Sequence, residues 1–244
     1  MIIIPDVHGR DFWKSAVEGR ENEEILFLGD YVDPYSSFEG VEPWEGMMSL
    51  LEVIKFKKEH PDNVTLLLGN HDLSYISDSP KCRYDYENCE TIRKAILDNL
   101  SLFKIAHEKT LAGKRFIFSH AGILPGWLKE NEMTLGQLKA SNVVKELNKK
   151  FVAGHLFNAL CDVSFYRGGY HEAGSCVWAD IHEHLYDSDS PNALFPSNVY
   201  QIFGHTLQLS ERPIITPRFA CLDCRKAFLL NQRGEICELN TTEE

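Results

Sequence analysis

Carboxylate, imidazole and amide side chains follow five short apolar runs of this 244-residue sequence, each at the point where the run ends. The residues are Asp6 and His8 in PDVHG, Asp30 and Asp33 in GDYVD, Asn70 and His71 in GNHD, His120 in SHAG, and His205 in GHT. The runs have the length and the β-branched or aromatic content of buried strands. Because the carboxyl ends of strands in an α/β sheet line one crevice, we expect these side chains to lie close together.

Six of these side chains form a ligand set of mixed nitrogen and oxygen type: Asp6, His8, Asp30, Asn70, His120 and His205. The set contains no thiolate, which suits manganese, iron or zinc. Six ligands are more than one tetrahedral ion needs, and they suit two ions about 3.5 to 4 Å apart that share a carboxylate. His71 then remains free to act as an acid. A further Gly-His pair at residues 154–155 lies in a helix-like sequence, so we favour His205 as the ligand.

The apolar runs predict strands at residues 1–4, 24–29, 64–69, 115–120 and 199–204. Between them, the apolar spacing in residues 44–60 indicates a helix, and such alternation is typical of an α/β domain. Residues 213–240 contain further strands joined by tight turns, which predicts a second, antiparallel sheet. We therefore expect a single domain over residues 1–244, built as a two-sheet β-sandwich flanked by helices.

Two long segments, residues 74–112 and 125–190, fit this scheme poorly. Segments of this length between core strands usually form helical caps or binding loops. We expect both to be cap-like insertions that determine substrate selectivity.

The composition indicates a soluble globular protein, with 43% hydrophobic and 25% charged residues. A formal net charge of −11 argues against binding of a nucleic acid duplex through a broad basic surface. The apolar N-terminal stretch is too short for a signal peptide, and no run approaches the roughly 18 residues of a membrane span. We therefore predict a cytoplasmic protein that makes no membrane contact and whose seven cysteines are reduced thiols.

The motifs DVHG, GDYVD, GNHD, SHAG and GHT, in this order over residues 6–206, resemble the calcineurin-like metallophosphoesterase family and more closely its PPP-type phosphoprotein phosphatase branch. The resemblance implies a four-layer fold in which two sheets are flanked by helices. It also implies Asp6 and His8 on a first metal ion, Asp30 between two ions, and Asn70, His120 and His205 on the second. Asp33 would pair with His71 and hold its imidazole protonated and oriented toward the leaving group.

Three comparisons with the family's motifs bear on the branch to which the sequence is similar. Leu207 stands where diesterase-like branches carry a second histidine, and the PPP-type branch also lacks that histidine. Pro34 stands where GDYVDRG has a phosphate-binding arginine, so another cation must take this role, and Arg10 and Arg167 are the candidates. Asp72 replaces the glutamate of GNHE, a modest change if this carboxylate only supports the site.

The predicted activity is hydrolysis of phosphate monoesters, without a covalent phosphoenzyme, by direct attack of a hydroxide that bridges two metal ions. The alternative within enzymes is a nucleotide or dinucleoside polyphosphate hydrolase, in which Trp44, Tyr84 and Tyr86 could stack a base. A further alternative is a non-catalytic scaffold that binds a partner protein in the crevice. A scaffold is expected to have lost ligands, whereas this sequence keeps all six and His71.

Overall fold

Eleven short strands form two sheets in the part of the chain that the computed structural model describes, residues 1–136, 138–188 and 195–239. The strands are β1 (Ile2–Ile4), β2 (Ile25–Phe27), β3 (Val64–Leu67), β4 (Phe103–Lys104), β5 (Ala106–Leu111), β6 (Lys114–Ser119), β7 (Val199–Phe203), β8 (Ile214–Ile215), β9 (Phe219–Cys221), β10 (Phe228–Leu230) and β11 (Ile236–Glu238). The first sheet has the order β11-β10-β1-β2-β3-β4, and the second has the order β5-β6-β7-β9-β8.

The two sheets pack face to face through alternate side chains of their central strands. Ile3 of β1 belongs to a buried cluster with Phe118 of β6 and Ile202 of β7, which lies between the sheets. Ile2 and Ile4 belong to the cluster on the opposite face of the first sheet. Successive side chains of a strand point to opposite faces, so a strand that is apolar throughout can bury both. The predicted two-sheet sandwich is therefore confirmed.

Helices cover the outer faces of the sandwich. Those in the described residues are α1 (Phe12–Val17), α2 (Ser36–Glu39), α3 (Pro43–Glu59), α4 (Asn70–Ser74), α5 (Cys89–Asp98), α6 (Pro125–Glu130), α7 (Glu132–Leu135), α8 (Val143–Val152), α9 (Phe157–Leu160) and α10 (Ile181–Ser188). Trp13 of α1 and Leu50 of α3 are buried with the outward side chains of β1. None of these helices has the length and apolar character that crossing a lipid bilayer requires.

The second sheet differs from the antiparallel sheet that the C-terminal sequence predicted. Its central strands β6, β7 and β9 run parallel, and the edge strands β5 and β8 run antiparallel to their neighbours. The last two strands pair with each other and join the first sheet through β1. The prediction was wrong because turn residues indicate local pairing only, and the chain passes from one sheet to the other between β9 and β10.

The predicted insertion at residues 74–112 is also shorter than expected. Its first part forms α5, which contacts α3, but β4 and β5 are edge strands of the two sheets. In the second predicted insertion, residues 125–190, the described residues form α6 to α10 and contribute no strand to either sheet. Trp127 and Leu147 of this segment are fully buried in the same core cluster as the first sheet.

The carboxylate of Asp72 ties together the ends of β2 and β3. Its Oδ2 accepts hydrogen bonds from the backbone N–H groups of Asp30 at 2.8 Å and Gly69 at 2.9 Å. Its Oδ1 accepts from the backbone N–H of Tyr31 at 2.9 Å. The side chain that replaces the family's usual glutamate thus supports the backbone of both turns, and these turns carry the polar residues described next.

Candidate metal centre

The eight polar side chains predicted from the strand ends meet at one edge of the sandwich, and all of them are buried. They come from both sheets: Asp6 and His8 follow β1, Asp30 and Asp33 follow β2, Asn70 and His71 open α4 after β3, His120 follows β6, and His205 follows β7. The expectation that parallel strand ends would bring these residues together is confirmed.

Four of these residues have a left-handed backbone. The φ angles are 45° at His8, 53° at Asp30, 57° at Asp33 and 65° at His205. Residues other than glycine rarely adopt this conformation, which costs on the order of 1 to 3 kcal/mol where the surroundings impose it. The strands β1, β2 and β7 therefore end in sharp turns that aim candidate site residues into the crevice at a cost in stability.

One group of side chains that could hold a metal ion consists of His8, Asp30 and His71. The His8 Nε2 lies 3.6 Å from the Asp30 Oδ2. The other ring nitrogen of His8, Nδ1, lies 2.7 Å from the carbonyl oxygen of Val32 and donates to it. This bond fixes the tautomer, so that Nε2 presents its lone pair to the crevice.

A second group consists of Asp30, His120 and His205, so that Asp30 belongs to both. The His120 Nε2 lies 3.3 Å from the Asp30 Oδ2 and 3.2 Å from the His205 Nδ1. It also lies 3.0 Å from the Asn70 Oδ1. The His120 Nδ1 donates to the carbonyl of Leu28 at 2.9 Å, which again leaves Nε2 as the atom facing the crevice.

These contacts place acceptor atoms against one another. With Nδ1 of His120 donating to a backbone carbonyl, a neutral imidazole has only a lone pair to offer to the Asn70 and Asp30 oxygens. Acceptors at such distances require a proton or a metal ion between them. The buried Nε2 of His205 has no hydrogen-bond partner within the described residues. The nitrogen and oxygen donor set fits manganese, iron or zinc.

The electrostatics of the centre agree with this fit. Burial lowers the pKa of His8 and of His205 well below the usual value, so both imidazoles are neutral and available as ligands near neutral pH. Burial also opposes a charge on His120, but the carboxylates of Asp30 and Asp6 outweigh it and raise its pKa to about 10. His120 thus carries a proton near neutral pH, at a position where its Nε2 could instead bind a cation.

Asp6 lies behind His205 and outside both groups. Its two carboxylate oxygens accept hydrogen bonds from the backbone N–H of His205 at 3.0 and 3.1 Å. A Cβ at Gly204 would lie 2.1 Å from the Asp6 Oδ1, and one at Gly69 would lie 2.0 Å from the Asp30 Oδ1. Glycine is required at both positions because the backbone passes directly against these carboxylates.

His71, a member of the first group, also forms a buried pair with Asp33. The His71 Nδ1 lies 2.8 Å from the Asp33 Oδ2. The hydroxyl of Tyr75 donates to the other oxygen of Asp33, and the backbone N–H of His71 donates to the Asp30 Oδ1 at 2.9 Å. The imidazole is therefore fixed at its Nδ1 and at its backbone, and its Nε2 faces the crevice.

The two arginines predicted to bind phosphate are both paired with carboxylates. Arg10 contacts Glu39 through Nε at 2.8 Å and Nη2 at 3.0 Å. The Arg167 Nε lies 2.8 Å from an oxygen of Asp180, and its Nη2 donates to the hydroxyl of Thr206 at 2.7 Å. Arg167 thus lies close to Thr206, the residue after His205, whereas Arg10 shares Glu39 with Arg225, whose Nε lies 2.6 Å from the Glu39 Oε1.

The arginine that faces the crevice is Arg83, which sequence reasoning missed. Its Nη2 lies 3.1 Å from the Nε2 of His71 and 3.5 Å from the Nε2 of His8. Arg83 belongs to the sequence CRYDYENCE, which was assigned to a cap without a role for its arginine. The loss of the motif arginine at Pro34 was the signal that could have directed attention to it.

The aromatic residues considered for base stacking do not form one cluster. Tyr84 stacks on Tyr75 with ring centroids 4.2 Å apart, and Tyr86, which is 73% exposed, packs edge-on against Tyr84. Trp44 lines a separate cavity of about 610 Å³ with Met48. The two tyrosines alone therefore remain as a surface for an aromatic ligand.

Comparison with known proteins identifies the family. The calcineurin-like phosphoesterase family matches residues 2–209, and this chain belongs to it. The resemblance seen in the motifs is confirmed, and the family is one of hydrolases that act on phosphate esters. A cold-active protein-tyrosine phosphatase of a Shewanella species shares the fold, with a TM-score of 0.55 and 15% identity over 98% of this chain and 80% of that one.

Relatives of two kinds share sequence with the chain. The serine/threonine-protein phosphatase 4 catalytic subunit of Kluyveromyces lactis is 26% identical over 219 residues, which are 84% of this chain and 58% of the relative. The symmetrical bis(5'-nucleosyl)-tetraphosphatase of Paracidovorax citrulli is 34% identical over 84 residues, 31% of this chain and 30% of the relative. This chain thus spans less than two thirds of the length of either relative.

We predict that Gly204→Ala removes bound metal. Its Cβ would displace the Asp6 carboxylate and shift His205, so manganese content after desalting should fall to less than half of the wild-type value. The control is Gly19→Ala, because Gly19 has a φ of 70° and nothing within 4 Å of its Cβ position. This control suffers backbone strain of about 1 kcal/mol but no collision. Equal metal content in the two variants would contradict the view that a side chain at position 204 displaces the Asp6 carboxylate.

Proposed function

We propose that this protein hydrolyses phosphate monoesters with two metal ions. The observation that carries the proposal is that Asp30 belongs to both candidate ligand groups, and that His71, in the first of them, is paired with Asp33. Ligand groups that share a carboxylate suit adjacent ions, and a fixed imidazole next to them suits proton transfer to a leaving group.

The ligand assignment follows the family resemblance, which adds Asp6 to the first group and gives His71 a role in proton transfer instead of metal binding. We assign Asp6 and His8 to the first ion, Asp30 to both, and Asn70, His120 and His205 to the second. Ions of manganese, iron or zinc bound there would supply a hydroxide that attacks phosphorus directly and would neutralise phosphoryl charge. The protein supplies neutral imidazoles, since burial lowers the pKa of His8 and His205, and a carboxylate that stays ionised. Although burial opposes the charge, His120 and His71 hold the pKa of Asp30 well below its usual range.

His71 is proposed as the general acid. Asp33 accepts the hydrogen bond from Nδ1, which leaves Nε2 as the atom that delivers a proton to the leaving-group oxygen. Tyr75 holds the second oxygen of Asp33, so the carboxylate cannot turn away from the imidazole. The contacts from Tyr75 through Asp33 to His71 thus hold the imidazole in one orientation, with its Nε2 toward the leaving group.

The extent of the sequence match favours a monoester over a dinucleoside polyphosphate, because the phosphatase 4 relatives align with 84 to 85% of this chain. Leu207, in place of the histidine of diesterase-like branches, argues against those branches only. The tetraphosphatase relative matches at higher identity but over a shorter stretch. With the exposed Tyr86, that match makes dinucleoside polyphosphate hydrolysis the second candidate.

The test is hydrolysis of p-nitrophenyl phosphate, bis-p-nitrophenyl phosphate and a dinucleoside tetraphosphate with manganese, zinc and iron in turn. Turnover of the monoester ahead of the other two substrates would support the proposal and lead to phosphopeptides as the next substrates. Faster cleavage of the diester or the dinucleotide would favour the second candidate. The absence of turnover with any metal would favour the alternative of a non-catalytic scaffold that binds a partner protein in the crevice.

We predict that His71→Asn slows hydrolysis of phenyl phosphate by about 10²-fold or more, and of p-nitrophenyl phosphate by much less. A good leaving group needs little protonation, so the difference between substrates reports proton donation. Metal content should stay close to the wild-type value. His155→Asn, an exposed histidine after α8, is the control. Equal losses with both substrates would count against the general-acid role.

We predict that Asp30→Asn releases both metal ions. The Asp30 Oδ2 lies 3.6 Å from the His8 Nε2 and 3.3 Å from the His120 Nε2, so its charge serves both groups. Metal content measured by mass spectrometry should fall to near zero. The matched control is Asp62→Asn, which removes the charge of an exposed aspartate in the loop before β3. A variant at position 30 that retained two ions would rule out the shared carboxylate.

A further inference from the structure

Arg83 lies next to the motif GDYVD, which in this chain is not followed by an arginine. The branch usually carries its phosphate-binding arginine directly after GDYVD, where this chain has Pro34. Arg83 lies on the loop between α4 and α5, yet its Nε donates to the carbonyl oxygen of Asp33 at 3.0 Å. A residue distant in sequence is thus attached to the backbone immediately before the missing arginine.

The guanidinium of Arg83 is held in place from two sides. Besides the bond to the Asp33 carbonyl, its plane lies over the ring of Tyr35, with 3.6 Å between Cζ and the ring centroid. Such cation–π contacts stabilise by about 0.5 to 2 kcal/mol. The backbone of Arg83 has a φ of 50°, a left-handed conformation shared with four residues of the centre. Strained backbone of this kind clusters at functional sites.

No carboxylate pairs with Arg83 among the described residues. This separates it from the two arginines predicted earlier, since Arg10 pairs with Glu39 and Arg167 with Asp180. The residue is exposed to solvent while its Nη2 reaches the two imidazoles of the crevice. Arg83 therefore offers a positive charge that substrate can reach and that no acid already balances.

The groups around the Arg83 Nη2 leave room for a hydrogen-bond acceptor from a ligand. The Arg83 Nη2 is a donor and lies 3.1 Å from the His71 Nε2. As the proposed general acid, His71 is also a donor at this nitrogen, so both atoms need an acceptor. A phosphate ester supplies one to each: a non-bridging oxygen for the guanidinium and the leaving-group oxygen for the imidazole.

We infer that Arg83 binds the phosphoryl group and takes over the role of the missing motif arginine, selecting for a monoester. A monoester has three non-bridging oxygens and a charge of about −1.5 to −2, whereas a diester has lost one of these oxygens and about one charge. Arg83 matches the oxygen and the charge that distinguish the two. This inference rests on the proposed phosphatase function and names the residue that determines its substrate class.

The test compares Arg83→Ala, Arg83→Lys and a control, Lys81→Ala. Lys81 lies two residues away on the same loop and packs over Tyr84, 4.2 Å from the ring centroid. The first measurement is binding of inorganic phosphate to the metal-loaded protein by calorimetry. We expect Arg83→Ala to weaken binding at least tenfold with metal content unchanged. Lysine should recover part of the affinity, since it keeps the charge but not the planar fork.

The second measurement is kcat/KM for a monoester and a diester. Arg83→Ala should lower the value for p-nitrophenyl phosphate by about 10²-fold, the usual effect of losing one donor to a developing charge. The loss for bis-p-nitrophenyl phosphate should be clearly smaller. If Arg83→Ala matched Lys81→Ala in phosphate affinity and in both rates, Arg83 would not bind phosphate, although the phosphatase function would stand. A wild-type protein that neither bound phosphate nor hydrolysed either ester would overturn the function and this inference together.

Discussion

The burial of Asp30 is the constraint on which the rest of the centre depends. Its backbone carbonyl accepts hydrogen bonds from the N–H groups of Val7 and His8, at 3.0 and 2.7 Å. Its carboxylate accepts from the N–H of His71 and lies between two imidazoles, while its own N–H donates to Asp72. A buried charge is tolerated only when it is paired and hydrogen-bonded. The turns after β1, β2 and β3 are therefore arranged around a single carboxylate.

The sandwich and the loops contribute different things to the centre. The strand ends supply carboxylates and neutral imidazoles, which suit cations. Arg83 and Arg167 come from segments outside the strands that carry these ligands. Arg83 contacts the imidazoles of the crevice, whereas Arg167 is paired with Asp180. The positions of the candidate ligands at the strand ends depend on the sheets. An arginine on a loop can be gained or lost without a change in these positions. The replacement of the motif arginine by Pro34 is consistent with such an exchange.

The strands that carry the centre could be predicted because their apolar runs end in motif residues. Edge strands are harder to predict. In β5, with the sequence AHEKTL, half-buried and exposed side chains alternate after the buried Ala106, and there is no continuous apolar run. The division of the C-terminal strands between two sheets depends on tertiary packing, which turn residues do not encode. Arg83 lies in a loop without periodicity, and only its contacts with Asp33 and His71 indicate its position.

The centre also joins the two sheets. Asn70 and Asp30 follow strands of the first sheet, whereas His120 and His205 follow strands of the second. An ion held by all four would cross-link the layers, and its binding energy would become part of the free energy of unfolding. At a metal concentration 1,000 times Kd, this linkage amounts to about 4 kcal/mol, a large share of the stability of an ordinary domain. The stability of the folded protein would then depend on the metal concentration, so a shortage of the ion would lower the amount of folded protein as well as its activity.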